Sequence, residues 1–174
     1  KADDVAFLTT PNSVTGQLIP REEIEKIARI ALVKKRFLVI DEAFIDFVEE
    51  ESVKQLIGDN PYVIILRSLT KYYALPGLRL GYLLAHSRTV AQFATYLEPW
   101  SVNGPAQKVA LTCLADERFR LNTERWLHRE RSFLAQALIA LKRFQPYPSN
   151  ANFLLVRIAN NASAVGLRSF LLNK

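Results

Sequence analysis

In the stretch LRSLTKYYALPGLRLGYLL, residues 66–84, Lys71 and Arg79 stand eight positions apart between two apolar runs, and Ser68 and Thr70 come just before Lys71. Hydroxyls with nearby backbone N–H groups suit a phosphate, and the Arg79 fork can take phosphate oxygens in bidentate fashion. A partly buried lysine more readily presents a neutral amine, which can attack an aldehyde. Thirty positions before Lys71, Asp41 closes the apolar run FLVI. A carboxylate at such a place is partly desolvated and needs a cation or an N–H group to stay ionised. Each residue also has an ordinary account as a turn residue or surface cation, and capping of the following turn explains Asp41 equally well. Together they describe a pocket for one ligand that carries an anion, an aldehyde and a protonated ring nitrogen.

Such a pocket needs a frame. Residues 20–35, PREEIEKIARIALVKK, start with Pro, carry acids in the first turn, space apolar residues at 24, 27, 28, 31 and 32, and end in Lys. This pattern predicts an amphipathic helix. FLVI (37–40) is a continuous apolar run of the kind found in strands buried on both faces. YVIIL (62–66) repeats it after the turn signal GDNP, and RLGYLLA (79–85) follows a Pro-Gly turn. Strands at this spacing with a helix before at least one of them predict an α/β sheet, and ligands of such sheets bind beyond the carboxyl ends of the strands. Asp41 and Ser68 lie at two such ends. From Pro105 the chain turns helical: GPAQKVALTCLAD, then a long helix from Glu117 to about Leu141. After PYPSN come a strand predicted over 152–158 (NFLLVRI) and a last amphipathic piece, SAVGLRSFLLNK. The shift in composition near 130–145 suggests a boundary, with residues 1–130 in one domain and 131–174 opening a smaller α+β domain.

The bulk properties narrow the function classes. With 174 residues, 49% of them hydrophobic and 23% charged, the chain can bury a core. It has no apolar run long enough to span a bilayer, and its start, KADDVAFLTTPN, lacks the layout of a secretion signal, so a cytoplasmic protein without a membrane partner is expected. The net charge of +6 and a pI near 9.6 could suit nucleic acid. The basic residues are nevertheless dispersed among acids, as in ERFRLNTERWLHRERSF, and no nucleic-acid partner is expected. Cys113 is expected to be a small core residue, His128 a helix-surface residue, and neither His86 nor His128 has neighbours at metal-ligand spacing, so no metal is expected. The absence of Met anywhere, including position 1, points to a fragment of a longer protein.

Pyridoxal 5′-phosphate combines an aldehyde, a phosphate and a protonatable ring nitrogen, and its enzymes require a Schiff-base lysine and an acidic partner for the ring. TPNSVTG (10–16), VIDEAFIDF (39–47) and SLTKYYALPGLRLGY (68–82), in that order, resemble the successive signatures of fold-type I pyridoxal-phosphate enzymes of the histidinol-phosphate aminotransferase group. The resemblance implies a central, mostly parallel sheet with flanking helices, followed by part of the smaller C-terminal domain, and a homodimer acting on a small phosphorylated amino acid. It implies that Asn12 hydrogen-bonds the phenolic oxygen of the cofactor, Asp41 pairs with the ring nitrogen, Lys71 forms the Schiff base, and Ser68, Thr70 and Arg79 bind the phosphate. Aminotransferases of the group usually carry Tyr where this chain has Phe44. That difference, with EPWSVN (98–103), makes the chain most similar to the threonine-phosphate decarboxylases of cobalamin biosynthesis within the group, with histidinol-phosphate aminotransferase as the alternative. Members are much longer than 174 residues, so a glycine-rich phosphate loop, a ring-stacking aromatic and the arginine for the substrate carboxylate are expected outside this chain. A cofactor-free structural relative would keep the sheet and bind no pyridoxal phosphate.

Overall fold

The computed structural model describes residues 5–159 and 163–174. Four strands form the main sheet in chain order: β1 (Val5–Thr9), β2 (Phe37–Asp41), β3 (Val63–Ser68) and β4 (Gly81–Ala85). The first three are parallel and β4 runs antiparallel to β3. Thr9 pairs with Asp41 and Asp41 with Leu66, so β1, β2 and β3 end together along one edge.

Helix α1 (Arg21–Lys34) provides the crossover from β1 to β2. Glu22 and Glu23 sit in its first turn and Lys34 in its last, which complements the helix dipole. Its apolar stripe, Ile24, Ala28 and Ala31, packs on Leu38, Ile40, Val63 and Ile65, with Val53 closing the cluster. Leu38, Val39 and Ile40 are all buried, as a strand covered on both faces should be. The predicted GDNP turn is anchored by buried Asn60, whose Nδ2 donates to Ala28 O at 2.8 Å and whose Oδ1 accepts from Tyr62 N. On the opposite face of the sheet, Val5, Phe7, Val39 and Ile64 border a cleft of about 810 Å³ with Phe93 and Tyr96, and Phe7 is 73% exposed.

After β3 the chain makes one helical turn, α2 (Leu69–Tyr72), and after β4 it forms α3 (Ser87–Ala94), α4 (Gly104–Leu114) and the long α5 (Glu117–Ala140). Side-chain caps start these helices: Asn103 Oδ1 accepts from Ala106 N and Asp116 Oδ1 from Phe119 N. Leu69, Leu80 and Ala106 form a second buried cluster that joins α2, the residue before β4, and α4. Strands β5 (Phe144–Pro146) and β6 (Val156–Ile158) make a separate antiparallel pair, followed by α6 (Ala164–Leu172). Among the described residues no helix is long and apolar enough to cross a membrane.

Two expectations need correction. The strand predicted over 152–158 is paired only at Val156–Ile158. The residues before it find partners elsewhere: Asn150 N donates to Gly16 O at 2.7 Å, Ala151 N to Ser149 Oγ, and Arg131 reaches Ala151 O. Cys113 is half-buried rather than a core residue, because α4 turns only Ala106 fully inward.

Candidate active site

The ends of β1, β2 and β3 bring the sequence-predicted residues to one edge of the sheet. Beyond β1, a cis peptide joins Thr10 and Pro11, and the chain then curls into a turn closed by Asn12 N on Gln17 O and Gly16 N on Asn12 O. Asn12 Oδ1 accepts from Val14 N and Thr15 N, both at 3.0 Å, so the amide oxygen is committed to the turn. Its Nδ2 donors have no partner among the described residues.

Asp41, half-buried, is the last residue of β2. Its backbone oxygen accepts from Thr10 N and its Oδ1 from Ala43 N, both at 3.0 Å. The turn-capping role is thus filled by one carboxylate oxygen, and Oδ2 is left without a partner among the described residues.

Ser68 ends β3 and caps α2, with Thr70 N donating to its Oγ. Thr70 Oγ1 lies 2.7 Å from the same hydroxyl and Lys71 Nζ donates to it at 3.2 Å. Two hydroxyls and the amine are thus one connected group. Lys71 is exposed, not partly buried as expected, because the single turn of α2 sends Leu69 and Tyr72 into the core and leaves Lys71 facing out. Its Nζ sits 5.7 Å from the centroid of the Phe44 ring, within range of a cation–π contact. That contact links the Lys71 turn to the loop leaving Asp41.

Arg79 is less closely joined. It adopts a left-handed conformation (φ 51°) and donates to Pro76 O at 3.0 Å rather than to the Ser68 or Thr70 hydroxyls. Its neighbour Leu80 accepts from Leu69 N, and Gly81 pairs with Ser68, so the residue stands at the mouth of the same edge. Tyr72, which follows Lys71, is buried among Phe47, Tyr73 and Phe119 and donates to Arg120 O, and its phenol is pushed far above the usual range, mainly by burial. Trp100 is 95% exposed and borders a hollow with Leu80 and Val102, apart from the amine.

Directly behind this edge lies a group that the sequence reading missed. Arg67, 2% exposed, makes an ion pair of 2.9 Å with fully buried Glu42, contacts Asp46 Oδ1 at 3.0 Å and Glu49 at 2.7 and 3.2 Å, and donates to Ser52 Oγ at 2.8 Å. Glu42 in turn accepts from Ser52 Oγ and Val53 N. The available signal was alternation: Arg67 and Glu42 each adjoin a site residue on a strand end, and successive side chains leave a strand on opposite faces.

All 174 residues match the family model for aminotransferase class I and II. The chain belongs to that family. It is 41% identical over 156 residues to threonine-phosphate decarboxylase from Salmonella typhimurium, covering 88% of this chain and 43% of the relative. With histidinol-phosphate aminotransferase from Roseiflexus castenholzii it shares 36% identity over 158 residues, 91% of this chain and 41% of the relative. The crystal structure of histidinol-phosphate aminotransferase from Clostridium acetobutylicum superposes with a TM-score of 0.91 at 30% identity, over 98% of this chain and 52% of that one. The chain spans less than half the length of these curated relatives. Its fold is that of fold-type I pyridoxal-phosphate enzymes, and pyridoxal 5′-phosphate is the cofactor of the family. The donor set is chemically suited to that group: an exposed amine beside two hydroxyls, a carboxylate with one uncommitted oxygen, and an amide whose Nδ2 is free.

Proposed function

We propose that this chain forms part of a pyridoxal-phosphate-dependent lyase that decarboxylates L-threonine O-3-phosphate to (R)-1-aminopropan-2-yl phosphate. The observation that carries the reading is the identity to the S. typhimurium decarboxylase, higher than that to the R. castenholzii aminotransferase. Phe44 supports it, since a ring without a hydroxyl faces Lys71 Nζ where the aminotransferases of the group usually have Tyr.

In this reading Lys71 would take the cofactor aldehyde, Asp41 Oδ2 would pair with the protonated ring nitrogen, and Asn12 Nδ2 would donate to the phenolic oxygen. Ser68, Thr70 and Arg79 would bind the phosphate, Arg79 giving up its bond to Pro76 O to do so. When bound, pyridoxal phosphate supplies an electron-withdrawing ring conjugated to the substrate Cα. Decarboxylation breaks the bond from Cα to the carboxylate, CO2 departs, and a proton takes the vacant position. Lys71 Nζ, beside Ser68 Oγ at 3.2 Å, would be the group placed to deliver it once the substrate amine had replaced it on the aldehyde and left it free. Which Cα bond breaks depends on which one stands perpendicular to the ring, and groups that orient the substrate decide that. The division into a cofactor-binding domain over 1–130 and a smaller domain from 131 falls within α5. A cytoplasmic homodimer completes the reading.

The second reading, histidinol-phosphate aminotransferase, is supported by the close superposition on the C. acetobutylicum structure. Incubating the full-length protein with threonine phosphate, and separately with histidinol phosphate and 2-oxoglutarate, separates the two. CO2 release in the first supports the lyase, and glutamate formation in the second overturns it. A near-ultraviolet or visible band that vanishes with borohydride and is missing in Lys71→Ala distinguishes either enzyme from a cofactor-free relative.

A further inference from the structure

The segment from Glu42 to Ser52 leaves the sheet immediately after Asp41 and has little regular structure to hold it. Its 3-10 turns (Ile45–Glu51) are interrupted at Val48, which is not helical (φ −151°, ψ 54°). One buried side chain ties its length together. The Arg67 guanidinium reaches Glu42, Asp46, Glu49 and Ser52, four residues spread along the whole segment. Two aromatic rings on that segment meet the Lys71 turn. Phe44 faces Lys71 Nζ at 5.7 Å, and Phe47 packs on Tyr72, the next residue, at 5.1 Å. Phe44 is held from its other sides by Phe47 and by Phe153 at 5.4 Å. Arg67 also directly precedes Ser68, whose hydroxyl accepts from Lys71 Nζ.

We propose that Arg67 is a positioning residue for Lys71, acting through the 42–52 segment that carries Phe44. The proposal rests on the reading of Lys71 as the amine that captures pyridoxal phosphate. A lysine side chain has four rotatable bonds, and α2 is too short to restrict it. The Phe44 ring below and the Ser68 hydroxyl beside it define where the amine waits, and the guanidinium holds the segment that carries the first of these from the buried side.

The test follows capture of the cofactor. Full-length protein stripped of cofactor is mixed with pyridoxal 5′-phosphate, the rise of the absorbance band is timed, and borohydride reduction with peptide mass spectrometry locates the adduct. Arg67→Lys keeps the charge and loses the fork. It is expected to slow capture at Lys71 on the order of a hundredfold and to spread adduct onto other lysines. Phe44→Leu, which leaves the Arg67 contacts intact, is expected to slow it about tenfold. A merely structural role would lower the melting midpoint and leave the capture rate of folded protein unchanged, so a wild-type rate in either folded variant overturns the proposal. Should circular dichroism show Arg67→Lys unfolded, Glu49→Gln replaces it, with about a tenfold slowing expected and a wild-type rate again overturning the proposal. Lys71→Ala tests the underlying reading separately: if it traps cofactor as well as the wild type does, the reading of Lys71 fails first and the proposal with it.

Discussion

Gly16 and Ser149 pack so closely that a Cβ on Gly16 would lie 1.9 Å from Ser149 Oγ and 3.3 Å from Ser149 Cα. Gly16 also has φ +69°, in the region open to glycine and costly for other residues. With Asn150 N on Gly16 O, this contact fastens the segment after β5 to the turn that holds Asn12.

Gly16→Ala is therefore expected to cost about 1–3 kcal/mol of stability from backbone strain and overlap. It should also weaken cofactor binding, since the Asn12 turn and the 149–153 segment can no longer seat together. Thermal unfolding and a titration with pyridoxal 5′-phosphate measure the two effects. Unchanged values in both would show that this junction does not hold the turn.

Gly81 is constrained from the other side of the site. It pairs with Ser68 across β3 and β4, and a Cβ there would come within 2.8 Å of Arg67 O, a backbone atom that cannot rotate away. Gly81→Ala should separate the strands at the point where Ser68 caps α2, costing about 1–3 kcal/mol. Loss of amide-exchange protection at Leu69 N, which donates to Leu80 O, is the local sign to look for.

The frame of the site was legible in the sequence where one physical signal dominated. FLVI and YVIIL are buried at their centres, Leu38–Ile40 and Val63–Ile65, and read as unbroken apolar runs, and α1 and α5 carry helical periodicity over many turns. Strand β1 was not recognised, because its outward residues Val5 and Phe7 are exposed and its five residues hold no turn signal. The motif residues Asp41, Ser68, Thr70 and Lys71 were legible by type and order. Arg67 and Glu42 were not, because a charge inside an apolar motif gains its meaning only from a partner far away in sequence. The strand predicted at 152–158 formed only over Val156–Ile158, because local β-propensity does not show where pairing with β5 begins.

Phe44→Tyr adds a hydroxyl to the ring that faces Lys71 Nζ. Under the lyase reading, the added donor can reach the cofactor's phenolic oxygen and bring the site closer to the aminotransferase pattern. With threonine phosphate and 2-oxoglutarate supplied together, the expected outcome is a fall in CO2 release of about tenfold, a shift of about 1.4 kcal/mol in barrier, with a rise in glutamate formed per CO2 released. Unchanged product ratios would remove Phe44 from the explanation of reaction choice.

Asp46 offers a test of the buried charge cluster that needs no substrate. Burial, opposed by the Arg67 guanidinium, pushes its carboxyl from the usual 3.8 up to about 6, and Glu49 and Glu42 add to the rise. Its Oδ2 is buried without a hydrogen-bond partner among the described residues. Between about pH 4 and pH 6 the folded protein keeps a proton that the unfolded chain has released, so this group's contribution to stability is full below that window and is lost as pH rises through it. Glu49 has the opposite trend: burial opposes its ionisation, but hydrogen bonds from Arg67 and Lys54 outweigh that and hold it below its usual value. Asp46→Asn removes the first effect and leaves the second, while its carbonyl oxygen can still accept from Arg67. The variant is expected to be more stable than the wild type at pH 7.5 by on the order of 1 kcal/mol, with the difference vanishing near pH 4. Urea unfolding at four or five pH values measures it. An equal difference at both ends of the range would mean that Asp46 is ionised throughout and that the proton is not held there.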